Sequence, residues 1–266
     1  MRTNGEVLDW RLSADLIPTK SAEDSIVLND RSIHMLRRDD LSDEEKNEYY
    51  YDPFVLGNET IKRSEIHFIE IINSLDDAGN DAWDVSAAED GSVLAWTQDD
   101  INGWKKLFIG GPGGVAAPID SSYLFARYEN LEGIAFNNCF YTDATTSMKY
   151  MFNRCGSLAE LDISGFKTGN VTALNHMFSG CESLASLDVA SFDTSKAVNM
   201  QGMFQDCTFL QKLDLSGFDT SQVTNLSYMF SGDGNLTDLN VSGFNTSNST
   251  SMQYMFNGQW GTPVAV

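Results

Sequence analysis

Three cysteines at equal steps are the first residues here that could do chemistry: Cys155, Cys181 and Cys207 fall 26 positions apart, with Cys139 earlier in the chain. If equivalent positions stack at strand spacing, about 4.8 Å, the Cα separation alone permits a disulfide. Side chains in one column point the same way, however, and three of them cannot all pair. Buried free thiols acting as small hydrophobes are the better expectation. No Cys-x-x-Cys pair or matching histidine spacing points to zinc.

A second column carries carboxylates: Asp162, Asp188 and Asp214, with Asn240 at the same step. Like charges at that spacing repel, so a compensating partner is required. A calcium ion is one candidate, with Ser164, Ser216 and Ser242 as neutral oxygens nearby. The alternative is that each aspartate bonds neighbouring hydroxyls or backbone and stays solvated.

Elsewhere the chemistry thins out. Gly110-Gly111-Pro112-Gly113-Gly114 lacks the Lys-Ser/Thr of a phosphate loop, and its proline removes a donor, so it reads as a turn. His34, His67 and His176 are scattered, with no His-Glu-x-x-His and no serine-histidine-acid order. No cofactor is implied, and the chain is not expected to be an enzyme.

The columns exist because the chain repeats. Met151-Phe152, Met177-Phe178, Met203-Phe204, Met229-Phe230 and Met255-Phe256 recur every 26 residues, after a degenerate unit at Leu124-Phe125. Leu158, Leu161 and Ile163 have counterparts at Leu184, Leu187 and Val189, then Leu210, Leu213 and Leu215. Phe166, Phe192, Phe218 and Phe244 form a further column, as do Thr142, Thr168, Thr194, Thr220 and Thr246. Within a unit, L-x-x-L-x-L predicts a short strand with one buried face. Met148, Met151 and Phe152, at i, i+3 and i+4, predict a helical turn. One strand plus one helical turn in a unit of this length falls within the leucine-rich-repeat range. The fold class this predicts is an α/β solenoid, a leucine-rich-repeat stack with parallel strands and short helical turns, preceded by a β-rich N-terminal cap.

The units GCESLASLDVASFDTSKAVNMQGMF and DCTFLQKLDLSGFDTSQVTNLSYMF resemble the BspA-like leucine-rich-repeat surface proteins of bacteria. The likeness is specific in residues 121–258, and DAWDVSAAEDGSVLAW followed by LFIGGPGGVAAP resembles the region preceding the repeats in that family. The resemblance implies a secreted or cell-surface protein that recognises other molecules without catalysis. This chain shows neither a signal peptide nor a wall-sorting tail of that kind.

On this reading the outward strand positions form a concave partner-binding face: Glu160, Asp162 and Ser164; Ser186 and Asp188; Lys212, Asp214 and Ser216; Asp238, Asn240 and Ser242. The face is small, polar and acidic, and lacks the aromatic anchors that mark hot spots. The expected function is surface recognition or adhesion towards a protein or glycan; the alternative is a structural spacer within a larger surface protein.

Three regions are expected: an N-terminal arm over 1–60 with a short helix from about 43 to 50, a β-rich capping region over 61–120, and about five and a half repeat units over 121–266. In the middle region, Asp100-Ile101-Asn102-Gly103 predicts a hairpin turn. At the far end Trp260 is placed to lid the last unit. A net charge of −21 and pI of about 4.2, spread over all three regions, disfavour nucleic acid and anionic membrane surfaces as partners. No apolar run is long enough for membrane insertion.

Overall fold

The computed structural model describes residues 26–27, 55–58 and 60–258. The helix expected from about 43 to 50, most of the arm, and Trp260 lie outside the described residues.

The capping region is built on β2 (Ile66–Ile72), whose isoleucines Ile66, Ile69 and Ile71 are fully buried. A run so rich in β-branched residues favours the pleated backbone and fills the core beneath it. β2 is an interior strand, fourth of five, in a sheet of order β3 (Trp83–Asp84), β4 (Leu94–Asp99), β5 (Lys105–Gly110), β2 and β7 (Gly133–Ala135). β3, β4 and β5 pair antiparallel, and β2 runs parallel to both β5 and β7. Gly103 takes a φ of +82° in the turn joining β4 to β5, and Oδ1 of Asp100 accepts the Asn102 and Trp104 N–H groups. A second sheet joins β1 (Ile26–Val27), β6 (Val115–Ala116) and β8 (Phe140–Tyr141), all parallel.

Arg63, itself buried, ties this region to the first unit. Its guanidinium donates to the carbonyls of Ala126 at 2.7 Å and Tyr123 at 3.4 Å, and lies 5.1 Å from the Tyr128 ring centroid. The Ala126 carbonyl faces the side on which no earlier unit exists to donate to it, whereas the Tyr123 carbonyl also accepts the Ala126 N–H at 2.9 Å.

Beyond residue 120 the sequence expectation fails in a specific way. The expected α/β solenoid with helical turns is overturned: the described residues contain no α-helix, and the one helical element is the 3-10 turn Arg63–Glu65. The fold is mainly β and coil, in small mixed sheets. At the Met-Phe pairs the reason lies in the backbone. The N–H groups of Met148, Tyr150, Phe152 and Arg154 donate to Ala173, Asn175, Met177 and Ser179 in the next unit, at 2.8–3.0 Å. Only the alternate groups, on Met151, Asn153 and Cys155, turn back to carbonyls three residues earlier in their own unit. Tyr150 and Arg154 meanwhile adopt φ of 58° and 59°. With every second donor committed to a neighbour and two left-handed residues per turn, the helical hydrogen-bond ladder has no donors to use.

The expected strand per unit is reduced as well. At this position the first unit has β7, and of the later units only those with β9 (Lys212–Asp214) and β10 (Asp238–Asn240) form a strand, these two paired parallel, with a single bridge from Ser186 to Lys212. Each aspartate of the column folds back on its own chain: Oδ1 of Asp162, Asp188 and Asp214 accepts the N–H of Ser164, Ala190 and Ser216 at 3.0, 2.9 and 2.9 Å. The Asx turn bends the chain at this position and so keeps any extended stretch short, ending β9 at Asp214 and β10 at Asn240.

Successive units nevertheless share one interior. Phe125, Phe152, Phe178, Phe204, Phe230 and Phe256 stack with centroids 5.5 to 6.0 Å apart. The buried hydroxyls of Thr142, Thr168, Thr194 and Thr220 each donate to a carbonyl in the following unit at 3.0–3.1 Å.

Candidate functional site

The strand-side row places its members much as their spacing suggested, but leaves little for a ligand. Glu160, Asp162, Ser164, Ser186, Asp188, Lys212, Asp214, Ser216, Asp238 and Ser242 are exposed, and Asn240 is half-buried. Asp162, Asp188 and Asp214 are occupied by their own backbone, Oδ1 of Asn240 accepts the Ser242 N–H at 3.1 Å, and Lys212 pairs with Asp238 at 2.9 Å. Hydrogen bonds from Ser216 hold the Asp214 carboxyl below its usual range despite some desolvation. Among the described residues no group of three or more His, Cys, Asp or Glu converges to hold a metal ion, so the three aspartates are not brought into a calcium-binding cluster.

The cysteines are buried and unpaired. Sγ of Cys155, Cys181 and Cys207 donates to the carbonyls of Phe125, Phe152 and Phe178 at 3.0–3.2 Å. Burial pushes the Cys155 and Cys139 thiols up to about 12, and those of Cys181 and Cys207 well above the usual thiol value. Such thiols are poor nucleophiles at neutral pH.

Two columns that sequence reasoning missed build a different surface. The left-handed positions of each turn form one column of Tyr123, Tyr150, His176, Gly202, Tyr228 and Tyr254, and another of Arg127, Arg154, Gly180, Asp206, Gly232 and Gly258, all at φ between 55° and 87°. The signal was present in the sequence: glycine recurs at 180, 232 and 258 and stands alone at 202, residues that a positive φ favours. Rings in the first column stack, Tyr123 on Tyr150 and Tyr150 on His176, both at 4.7 Å. Burial lowers the His176 pKa, which favours the neutral ring.

Between these columns and the segments after them lies a groove of about 890 Å³ crossing four consecutive units. Arg127, Arg154, Tyr150 and His176 line one end of it, with Gln205 and Asp206 further along and Glu129 and Glu182 on the wall. Asn153 and Ser179 lie on its buried side. Arg154 is exposed, and among the described residues its guanidinium makes no ion pair or hydrogen bond.

Residues 120–214 and 207–261 match the family model described as "Mycoplasma protein of unknown function, DUF285". The chain belongs to this family. The two matches overlap and together take in every turn that lines the groove, so the groove is a feature of the DUF285 region and not of the capping region. No curated protein and no solved structure matches the chain. No helix of the described residues is long and apolar enough to cross a membrane.

Proposed function

We propose that this chain is a non-catalytic recognition module of a cell-surface or secreted protein, and that it binds its protein or glycan partner in the groove between Arg127 and Thr208. One observation carries this reading: Arg154 lines an open groove with its guanidinium uncommitted among the described residues. A charged group held at a cavity wall without an internal partner is placed to meet one from outside. The resemblance of the repeat units to BspA-like surface proteins supports the surface setting.

The only histidine in the groove, His176, makes no side-chain hydrogen bond to a serine, thiol or carboxylate among the described residues, and burial lowers its pKa. The thiols sit in the core, protonated. The strand-side row is the weaker candidate surface, because Asp162, Asp188, Asp214, Asp238 and Lys212 are bonded to one another or to their own backbone.

A spacer is the second reading, favoured by the phenylalanine column that runs unbroken through six units. Protein and glycan arrays probed with the wild-type chain, Arg154→Glu and Asp214→Ala separate the two. The recognition reading predicts a saturable partner lost in Arg154→Glu and kept in Asp214→Ala. A partner that ignores Arg154→Glu would remove the groove, and no saturable partner at all would leave the spacer.

A further inference from the structure

Independently of the groove, we propose that the outer face of the turn at 252–258 docks a turn of another protein, one that presents backbone carbonyls on alternate residues and a phenylalanine to stack on Phe256. The polarity of the stack carries this. Tyr123 N–H donates to the Lys149 carbonyl, Tyr150 N–H to Asn175, His176 N–H to Gln201, Gly202 N–H to Ser227 and Tyr228 N–H to Gln253, all at 2.8–3.0 Å. Each accepting carbonyl and the next donor belong to one peptide group, Lys149 C=O and Tyr150 N–H for example. The bonds therefore run head to tail through the units, and their dipoles add as they do along a helix. Parallel rows start at Ser121, Phe125 and Arg127.

The two ends of these rows are unlike. At the carbonyl end Ser122, Leu124 and Ala126 are buried, and the Arg63 guanidinium donates to the Ala126 carbonyl at 2.7 Å. At the other end the donor positions belong to Met252, Tyr254, Phe256 and Gly258, and among the described residues none of their N–H groups meets an acceptor. The side chains there are uncovered to match. Met252 is 45% exposed and Phe256 39%, whereas Leu226 and Phe230, their counterparts one unit earlier, are fully buried. Phe256 stacks on Phe230 with centroids 5.5 Å apart, so the column of rings ends at an accessible ring.

This face is the unit-to-unit interface with one side missing, and its occupant follows from that. A row of donors on alternate residues takes a row of acceptors at the same interval, the backbone pairing by which peptides add to sheet edges. A lone anion reaches only neighbouring donors and leaves the apolar side chains bare. A second copy of this chain has no matching row. Its carbonyl end is buried, and its own 252–258 edge would set donors against donors. The partner is therefore a different polypeptide whose turn leaves its carbonyls accessible.

A peptide with the sequence of residues 225–250 is the probe, since it carries the carbonyls of Asn225, Ser227, Met229 and Ser231 and the ring of Phe230. It is titrated, beside a scrambled peptide of the same composition, into the isotope-labelled full chain and into Met252→Asp and Phe256→Asp, with amide hydrogen exchange as the readout. The peptide should slow exchange at amides 252, 254, 256 and 258 by roughly tenfold or more, and the scrambled peptide should not. Either substitution should weaken binding by about tenfold. No slowing at these amides, or equal slowing by the scrambled peptide, overturns the proposal. So does slowing that grows with the concentration of the chain alone, which would make a second copy the occupant. Slowing by inorganic phosphate to the same extent would make the edge an anion site and overturns it too.

Discussion

The backbone N–H of Cys207 donates to Oδ1 of Asp233 at 2.8 Å, and Asp233 stands one unit later at the position Cys207 occupies in its own. A carboxyl has replaced a thiol in the buried column. It is fully enclosed, and Oδ2 finds no hydrogen-bond partner among the described residues. The cysteines of this column donate S–H to a phenylalanine carbonyl in the preceding unit, and Phe204 holds that position relative to Asp233.

Desolvation pushes the Asp233 carboxyl from 3.8 up to about 8, against the lowering effect of the Cys207 N–H. Because the folded value lies above the unfolded one, the fold holds the neutral acid. The cost of Asp233 is therefore absent below pH 3.8, grows as pH rises towards about 8, and is level beyond it. At pH 7 it amounts to on the order of 4 kcal/mol. Asp233→Asn keeps the acceptor, supplies an N–H towards Phe204 and removes the titration. Urea denaturation at pH 5, 6.5 and 8 should show the variant gaining on the wild type at each step. Parallel pH profiles would show that Asp233 is not held neutral.

Gly202 and His176 are coupled by space. A Cβ at Gly202 would lie 2.4 Å from both Cε1 and Nδ1 of His176, on a backbone with φ of 57°. Gly202→Ala should cost about 1–2 kcal/mol from the left-handed backbone and more from the clash. His176→Ala should recover part of that loss in a double-mutant cycle; strict additivity in thermal melts would deny the contact.

The cysteines should be silent in the native protein. With burial raising all four thiols, a thiol reagent at pH 8 should label none in the folded state and all four in urea. Rapid labelling of even one before unfolding would contradict the buried column.

Arg63 closes the open end of the repeats. Arg63→Ala strands the Ala126 carbonyl in the core, while the Tyr123 carbonyl keeps the Ala126 N–H, and should cost about 1–3 kcal/mol. Arg63→Lys reaches with a single point donor and should recover only part of it. Chemical denaturation of the two variants measures both, and an Arg63→Ala protein as stable as wild type would show that the Ala126 carbonyl needs no partner.

The repeat was legible because large side chains recur at one step, and Leu161, Leu187 and Leu213 are buried alike. The secondary structure was not. Met148, Met151 and Phe152 have helical spacing, but all three are buried by turns whose alternate donors serve the next unit, and side-chain periodicity does not report where an N–H points. Asp162 shows the same limit on the strand side, where one Asx hydrogen bond stops an alternating pattern from extending. The groove was hidden for another reason. Arg127, Arg154 and Asp206 share a column with glycines, so the position carries no constant residue type and only its left-handed backbone unites it.

The most direct measurement is chemical-shift mapping of the isotope-labelled chain as a bound partner is titrated in. Binding in the groove predicts perturbed amides at 153–157, 179–182 and 205–208, with those at 160–164, 186–190 and 212–216 unmoved. Shifts confined to the latter set would place recognition on the strand-side row and contradict the account.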